Sequence, residues 1–232
     1  RKHVITEIAS AKEVGIKTSI TAWFFSVLLM PTIVSAQLVP GQNGDWNANA
    51  NGNWSTGPWT ALAVGTDYPS GVGARGLVIQ NITATRTITL DVPVTLGTLM
   101  LGDTNNTSAF ILSGGTLTFD NGGAANADNG GVIGAFLNHN SATAGMSPSS
   151  SDRIESSVVL NDLLTINADR NLEFRGAWDG GGNDIVFENT GRIYWNNNTG
   201  SGVLSNVGTL TINEGEARFD GLAGSSGNLV GA

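Results

Sequence analysis

Three stretches of this sequence are nearly the same: Gly97-Thr98-Leu99-Met100-Leu101, Gly115-Thr116-Leu117-Thr118-Phe119 and Gly208-Thr209-Leu210-Thr211-Ile212. In each, a glycine precedes a short strand whose side chains point alternately outward and inward. The first two stretches begin 115 − 97 = 18 residues apart, an interval that suits successive coils of one spiral. Short, self-similar strands are typical of a solenoid, in which each coil buries its apolar face against its neighbours.

The clearest strand pattern precedes the first of these stretches, between Thr85 and Leu96. One face carries the apolar residues Ile88, Leu90, Val92, Val94 and Leu96. The other face carries the polar residues Thr87, Thr89, Asp91 and Thr95. Pro93 lacks a backbone donor and predicts a break between two strands. Gly97 then shifts the alternation, so that Leu99 and Leu101 keep the same side inward as the chain turns a corner.

The same pattern continues towards the carboxyl terminus and indicates an all-β fold. Further short strands are predicted at Phe110-Ile111-Leu112, Leu117-Thr118-Phe119, Val158-Val159-Leu160, Leu164-Thr165-Ile166, Leu172-Glu173-Phe174, Ile185-Val186-Phe187, Ile193-Tyr194-Trp195, Leu210-Thr211-Ile212 and Ala217-Arg218-Phe219. Their brevity favours a parallel β-helix over an antiparallel sandwich, whose strands are usually longer and joined by hairpins.

The sequence divides into three regions. Residues 1–36 have a basic flank, a short apolar run and small residues suited to cleavage at Val34-Ser35-Ala36. This pattern predicts a secretory signal peptide. Residues 37–84 are irregular and rich in tryptophan, so we expect an amino-terminal cap over the first coil. Residues 85–232 form the predicted solenoid, with a long loop at 121–152. Neither a β-barrel nor a hydrophobic sorting segment precedes Ala232, so a fragment of a longer protein, or a released one, is expected.

Composition limits the partners. The chain of 232 residues has 11 Lys and Arg, 19 Asp and Glu, and no cysteine. After removal of residues 1–36 the balance is 7 − 17 = −10, which disfavours binding to nucleic acid or to anionic lipid surfaces. No stable membrane span is expected in the mature chain. Trp46, Trp54 and Trp59 in the predicted cap have an alternative role, as a carbohydrate-stacking site.

The motifs resemble a known family. The hexad Gly208 to Asn213, echoed at Gly115 to Asp120, is similar to the autotransporter-associated β-strand repeat of bacterial passenger domains. The opening Asp45-Trp46 and Asn53-Trp54, followed by Thr87 to Asp91, also resembles the start of such proteins. The resemblance covers Gln37 to about Leu222. It implies a right-handed parallel β-helix of the pectin-lyase-like kind that is exported, displayed and adhesive or structural.

Parallel β-helices also include polysaccharide lyases and hydrolases, which need a base or paired carboxylates for catalysis. The candidate carboxylates are Asp162, Asp169, Glu173, Asp179, Asp184, Glu188, Glu214, Glu216 and Asp220, and the candidate cations are Arg170, Arg175, Arg192 and Arg218. No spacing selects a cluster among them, so we expect a solvated outer face rather than a catalytic site. His139 is the one histidine after residue 36, and we expect it to be exposed in the loop.

One stretch suggests a metal. Asp179-Gly180-Gly181-Gly182-Asn183-Asp184 is close to the calcium-binding nonapeptide, which makes Asp179 and Asp184 candidate calcium ligands. A single copy of the motif binds weakly, and a simple glycine-rich turn is the alternative. No other cofactor is expected.

These observations favour a secreted or cell-surface, non-enzymatic β-solenoid with a structural, adhesin-like role and an unidentified surface or glycan partner. A carbohydrate-active β-helix enzyme, either a polysaccharide lyase or a glycoside hydrolase, and a calcium-stabilised binding module are the alternatives.

Overall fold

The computed structural model describes residues 40–139, 151–188, 191–196, 203–222 and 225–230. The chain divides into two units, Arg1–Ala36 and Gln37–Ala232, and every described residue belongs to the second. The predicted signal peptide at 1–36 therefore lies outside the described residues.

The described residues form β-strands and one 3₁₀ turn at Ala127–Asn129. The strands are β1 (Pro40–Gly41), β2 (Asn43–Trp46), β3 (Gly52–Asn53), β4 (Trp59–Thr60), β5 (Tyr68–Pro69), β6 (Arg75–Gln80), β7 (Arg86–Leu90), β8 (Val94–Leu96), β9 (Thr98–Asp103), β10 (Phe110–Gly114), β11 (Thr116–Phe119), β12 (Ala125–Asn126), β13 (Val132–Ile133), β14 (Ala135–His139), β15 (Asp152–Ile154), β16 (Ser157–Leu160), β17 (Leu164–Ala168), β18 (Asn171–Phe174), β19 (Trp178–Asp179), β20 (Ile185–Glu188), β21 (Arg192–Asn196), β22 (Leu204–Ser205), β23 (Leu210–Ile212), β24 (Glu216–Leu222) and β25 (Ser225–Val230). Among these residues no helix combines the length and the apolar character that crossing a bilayer requires.

Three large sheets contain most of the strands. In spatial order, sheet 1 is β23-β20-β17-β14-β9-β6-β2-β4, sheet 2 is β25-β24-β21-β18-β15-β10-β7-β3, and sheet 3 is β22-β19-β16-β11-β8. Neighbouring strands within them are parallel, except that β4 and β25 lie antiparallel at opposite ends of sheets 1 and 2. The predicted all-β class and parallel pairing are confirmed, and the alternative sandwich of hairpins is wrong.

The chain visits the three sheets in a fixed order. Five sets of consecutive strands, β6–β8, β9–β11, β14–β16, β17–β19 and β20–β22, each place one strand in sheets 1, 2 and 3 in turn. We call each set a strand triplet. In sheet 1, Leu164 pairs with Ile185 and Ile185 with Leu210, which are steps of 21 and 25 residues.

The interval of 18 residues between the first two Gly-Thr-Leu stretches is not a triplet step. Thr98 lies in β9 of sheet 1, whereas Thr116 lies in β11 of sheet 3. Gly97 lies at the turn from sheet 3 to sheet 1, and Gly115 at the turn from sheet 2 to sheet 3, so the similar stretches mark two different turns of the path. The interpretation of that spacing as the interval between successive coils was wrong.

The glycines of these stretches are required by close approach of the backbone. A Cβ on Gly97 would lie 2.6 Å from the Cα of Gly73, and one on Gly115 would lie 2.5 Å from the carbonyl oxygen of Leu90. Neither glycine has a positive φ angle. The preceding triplet therefore occupies the space of a side chain at each corner, and only glycine fits.

Strands such as β11 and β16 bury one side chain in two, as the alternation predicts, whereas β9, β14 and β17 bury all but one of their residues. In sheet 1, Leu99, Leu137, Ile166, Phe187 and Ile212 occupy one row of paired positions. The first four are fully buried and Ile212 is partly buried. All the predicted strands coincide with observed ones. The break at Pro93 separates β7 from β8, also as predicted.

Residues 37–84 do more than cap the sheets. β2 and β6 are parallel members of sheet 1, and β3 is a member of sheet 2. The layered sheets thus begin inside the segment predicted to be an irregular cap. The strand β6 was missed because Leu77, Val78 and Ile79 form a continuous apolar run, which hides the period of two.

The predicted loop at 121–152 is largely ordered where it is described. β12 and β13 form a hairpin, and β14 is a full member of sheet 1. Asn126 ties the hairpin to the outer face of sheet 1, because its side chain hydrogen-bonds to the Thr98 hydroxyl and to the Gly97 carbonyl. Residues 140–150 lie outside the described residues.

Candidate functional site

A polar cleft lies on the outer face of sheet 1, near the corner where the chain passes into sheet 2. It is lined by Asn167, Glu188, Asn213 and Glu214 and has a volume of about 340 Å³. That volume is at the lower end of the range of about 300–1,000 Å³ typical of ligand pockets. Two amides and two carboxylates line the cleft, so its chemistry is that of hydrogen bonding and of negative charge.

The register of sheet 1 builds this cleft. Asn138 pairs with Asn167, and Asn167 pairs with Glu188, so the three outward side chains form a row across β14, β17 and β20. The amide N–H of Asn213 donates to the carbonyl of Phe187 at 2.9 Å, which continues the row beyond β23. The side-chain amide of Asn213 is 3.5 Å from Oε1 of Glu188.

The carboxylates of the cleft are not neutralised by the nearby arginine. Arg192, at the start of β21, donates through Nε to Glu216 and through Nη1 to the hydroxyl of Tyr194 at 2.8 Å. The bond to Tyr194 and then that to Glu216 raise the pKa of Arg192, against the opposing effect of burial. Neither Glu188 nor Glu214 forms an ion pair within the part of the chain that the structure describes.

A second polar surface covers the outer face of sheet 2. Arg153, Glu173, Tyr194 and Arg218 occupy one row of paired positions across β15, β18, β21 and β24. The guanidinium groups of Arg192 and Arg218 lie 5.6 and 5.9 Å from the centre of the Tyr194 ring. This surface carries both positive and negative groups, whereas the charged groups that line the cleft are both carboxylates.

Arg175 completes the ionic network on that face. It donates to Glu173 at 2.9 Å, and its Nη1 lies 3.5 Å from Glu155, which also lies 3.5 Å from Arg153. The hydrogen bond to Glu173 raises the pKa of Arg175. Of the candidate catalytic cations, Arg175 and Arg192 are thus engaged with carboxylates.

The three tryptophans proposed for carbohydrate stacking lie inside the protein. Trp46 and Trp54 are fully buried, and Trp59 is 9% exposed. The ring of Trp59 contacts those of Trp46 and Trp54, with centroids 5.2 and 4.5 Å apart. Stacking requires a ring face open to solvent, and this arrangement offers none. The indoles instead close the amino-terminal end of the core.

The candidate calcium ligands lie in a turn between sheets 3 and 1. The Asp179 carboxylate accepts hydrogen bonds from the Gly181 N–H and the Asn206 side chain, which lower its pKa. The Asp184 carboxylate accepts from the Thr209 N–H at 2.7 Å. Both side chains thus link one triplet to the next.

The described residues contain no group of three or more side chains suited to metal ligation. Calcium at this turn stays a prediction. Calorimetry with calcium and then with EDTA tests it, because a ligand that binds only the native state raises the melting temperature.

His139 is buried rather than exposed in a loop. It ends β14 with 2% of its surface accessible, and its Nε2 lies 2.7 Å from Oδ2 of Asp152. Asp152 begins β15, and its other oxygen accepts the N–H of Phe110. The expected exposure was wrong because the carboxylate that buries this imidazole comes from a different sheet. The pair links the end of β14 to the start of β15.

Sequence reasoning had included Glu188 and Glu214 among the carboxylates but had not grouped them, and it had missed Asn167 and Asn213. A signal was present: Leu164-Thr165-Ile166-Asn167 and Leu210-Thr211-Ile212-Asn213 are identical. An amide repeated at the same place in two strand motifs, within β17 and directly after β23, indicates an outward polar row.

Comparison with protein-family models, with curated proteins and with solved structures found no match for this chain.

Proposed function

We propose that this protein is a secreted or cell-surface, non-enzymatic β-solenoid that serves as a structural, adhesin-like passenger segment. In this proposal the three sheets are the sides of a right-handed parallel β-helix. The observation that carries it is the continuous parallel pairing through sheets 1, 2 and 3, around a single buried apolar core.

Such an architecture suits mechanical display. Each strand triplet packs on the triplets before and after it, so stability is shared along the stack and does not depend on disulfides, which this chain lacks. Outward positions are left free to vary, and loops such as the hairpin β12–β13 can be added at corners without disturbing the core. The acidic composition argues against nucleic acid as the partner.

Export is tested by producing the whole chain with its leader in a bacterial host and sequencing the amino terminus of the exported protein. A terminus at Gln37 supports the proposal. Retention of the unprocessed chain inside the cell contradicts it. A matched variant with Leu28→Arg, which interrupts the apolar run of the leader, should abolish export.

Handedness and the absence of catalysis need separate measurements. A crystal structure decides the handedness, and left-handed crossovers would contradict the proposed β-helix. Incubation of the purified protein with neutral and acidic polysaccharides, with and without calcium, should release no new reducing ends and no unsaturated products.

A glycoside hydrolase is the second candidate, and one observation favours it. Glu188 and Glu214 line the same cleft, and hydrolysis of glycosidic bonds generally uses a pair of carboxylates. The incubation above separates the two candidates. Release of reducing ends that is lost in Glu188→Gln would identify the hydrolase.

A further inference from the structure

We propose that the cleft lined by Asn167, Glu188, Asn213 and Glu214 binds a glycan chain without acidic groups, either neutral or carrying amino sugars. This inference rests on the proposed extracellular role and gives it a ligand class. It also moves the candidate sugar site from the buried tryptophans to the outer face of sheet 1.

The lining groups match the chemistry of sugar hydroxyls. A hydroxyl both donates and accepts hydrogen bonds, a carboxylate only accepts, and a side-chain amide does both. Asn213 thus offers a donor, and Asn213, Glu188 and Glu214 offer acceptors. The contact between Asn213 and Glu188 is 3.5 Å long, at the limit of a hydrogen bond, so both groups retain capacity for a ligand.

The arrangement suits a polymer rather than an isolated small molecule. The row Asn138, Asn167, Glu188 and Asn213 places one polar side chain on each of β14, β17 and β20 and a fourth directly after β23. With a strand spacing of about 4.8 Å, the row extends over about 14 Å. A linear chain of hydroxyl-bearing units can follow such a row and make the same kind of contact repeatedly.

Charge selects among glycans. Glu188 and Glu214 lack ionic partners among the described residues, while the nearby Arg192 is engaged with Glu216 and Tyr194. An acidic sugar would bring a third negative charge into a cleft that already holds two. A protonated amino sugar would instead gain from the attraction, an effect that salt weakens.

The test is a titration of the purified protein with three hexasaccharides: N-acetylated chitohexaose, its deacetylated form and hexagalacturonate. We expect both glucosamine-based chains to bind, with the deacetylated form tighter at low salt and this advantage lost in high salt. Hexagalacturonate should not bind. Binding of hexagalacturonate as tight as that of chitohexaose, or no binding of any of the three, would overturn the inference.

Variants locate the site and separate its two effects. Asn213→Ala removes one hydrogen-bonding group and should weaken binding of both glucosamine chains about three- to tenfold. Glu188→Gln keeps the shape but removes one charge, so it should reduce the preference for the deacetylated chain. Asp67→Asn, at an exposed carboxylate outside the cleft, is the matched control and should change neither. Unchanged affinities in both cleft variants would contradict the assigned location.

This inference and the proposed function fail in different ways. An exported, folded protein that binds none of the glycans loses the site but keeps its scaffold role. Release of reducing ends from bound chitohexaose would overturn the non-enzymatic role and leave the site in place.

Discussion

Two tryptophan clusters lie in this molecule, and they differ in how their indole N–H groups are satisfied. At the amino-terminal end, Trp46, Trp54 and Trp59 donate to the carbonyls of Ala48, Pro69 and Trp54, at 3.0, 2.9 and 2.6 Å. Towards the other end, the indole nitrogens of Trp178 and Trp195 are buried without a hydrogen-bond partner in the described part of the chain.

The backbone explains the difference. Trp178 and Trp195 lie in β19 and β21, strands of the parallel sheets, where backbone carbonyls are engaged in the ladders between strands. The amino-terminal indoles lie among short strands and turns. Of their acceptors, Ala48 and Trp54 lie outside any strand, and Pro69 belongs to the two-residue strand β5. The regular sheets provide packing, whereas the irregular end provides packing and hydrogen bonds together.

The two ends also differ in how completely the core is covered. Ser70 and Gly71 hydrogen-bond to the backbone of Thr95, which covers the edge of β8. At the other end, Leu210, Ile212 and Phe219 are only partly buried, although Phe219 stacks on Trp195 with the rings 6° from parallel. We expect the amino-terminal end to contribute more stability for each side chain.

The largest expected difference comes from truncating one aromatic side chain at each end. Trp54→Ala leaves a cavity in a fully buried site and should lower the free energy of unfolding by about 3–5 kcal/mol. Phe219→Ala removes a half-covered ring and should cost about 1 kcal/mol. Urea denaturation followed by circular dichroism measures both, and equal costs would show that the two ends are packed equally well.

The indole hydrogen bonds are isolated by a smaller change. Trp54→Phe leaves the Pro69 carbonyl without its donor and should cost about 1–3 kcal/mol more than Trp195→Phe, because the latter removes an N–H that has no acceptor. Both variants lose a similar volume, so the difference between them reports the hydrogen bond. Equal melting temperatures for the two variants would remove the proposed distinction between the clusters.

Corner glycines provide a third comparison. An added Cβ would lie 2.6 Å from backbone at both Gly97, where it meets Gly73, and Gly208, where it meets Gly182. Gly97→Ala should lower the free energy of unfolding by about 1–3 kcal/mol, as is usual when a well-packed site is overfilled. Gly208→Ala should lower the free energy of unfolding by less than half of that amount, because the neighbouring strands at this end are covered less completely and can shift. Thermal unfolding of the two variants side by side measures this, and the reverse order would argue against the comparison.

The smallest expected effect is on the stability of the protein at acidic pH. Burial raises the pKa of Asp91, but hydrogen bonds from the Ser55 hydroxyl and N–H outweigh it and hold the pKa below its ordinary value of 3.8. The stabilisation is therefore present above pH 3.8 and is lost as the pH falls through the lower value of the folded protein. Asp91→Asn should cost about 1 kcal/mol at neutral pH, allowing for the exposure of this carboxylate.

Tryptophan emission during an acid titration follows this effect. The cost of Asp91→Asn should vanish at low pH, because the wild-type carboxylate is then also uncharged. Asp179→Asn is the matched control in the other half of the molecule and should leave the emission of the amino-terminal cluster unchanged. If Asp91→Asn lowers the free energy of unfolding equally at all pH values, the role assigned to the Asp91 charge is contradicted.

Several features of the fold could be predicted because they depend on neighbouring residues alone. The alternation around Ile88 and Leu90, the break at Pro93 and the strands at Leu164 and Leu210 follow from local side-chain pattern. His139 could not be placed correctly, because its burial depends on Asp152 across a corner between sheets. The cleft could not be assembled either, since Asn167 and Glu214 meet only after three sheets have formed.

The sequence by itself determined most strands after Thr85, together with the side chains that these strands point inward, because a strand alternates with a period of two. It did not determine β6 or β14, whose patterns are hidden by a continuous apolar run and by a polar, glycine-rich setting. Only the tertiary structure decided which sheet each strand joins and which outward groups share a surface. The physical reason is that parallel pairing joins residues 20 or more positions apart, as in Asp152 with Leu172, and no local pattern encodes that separation.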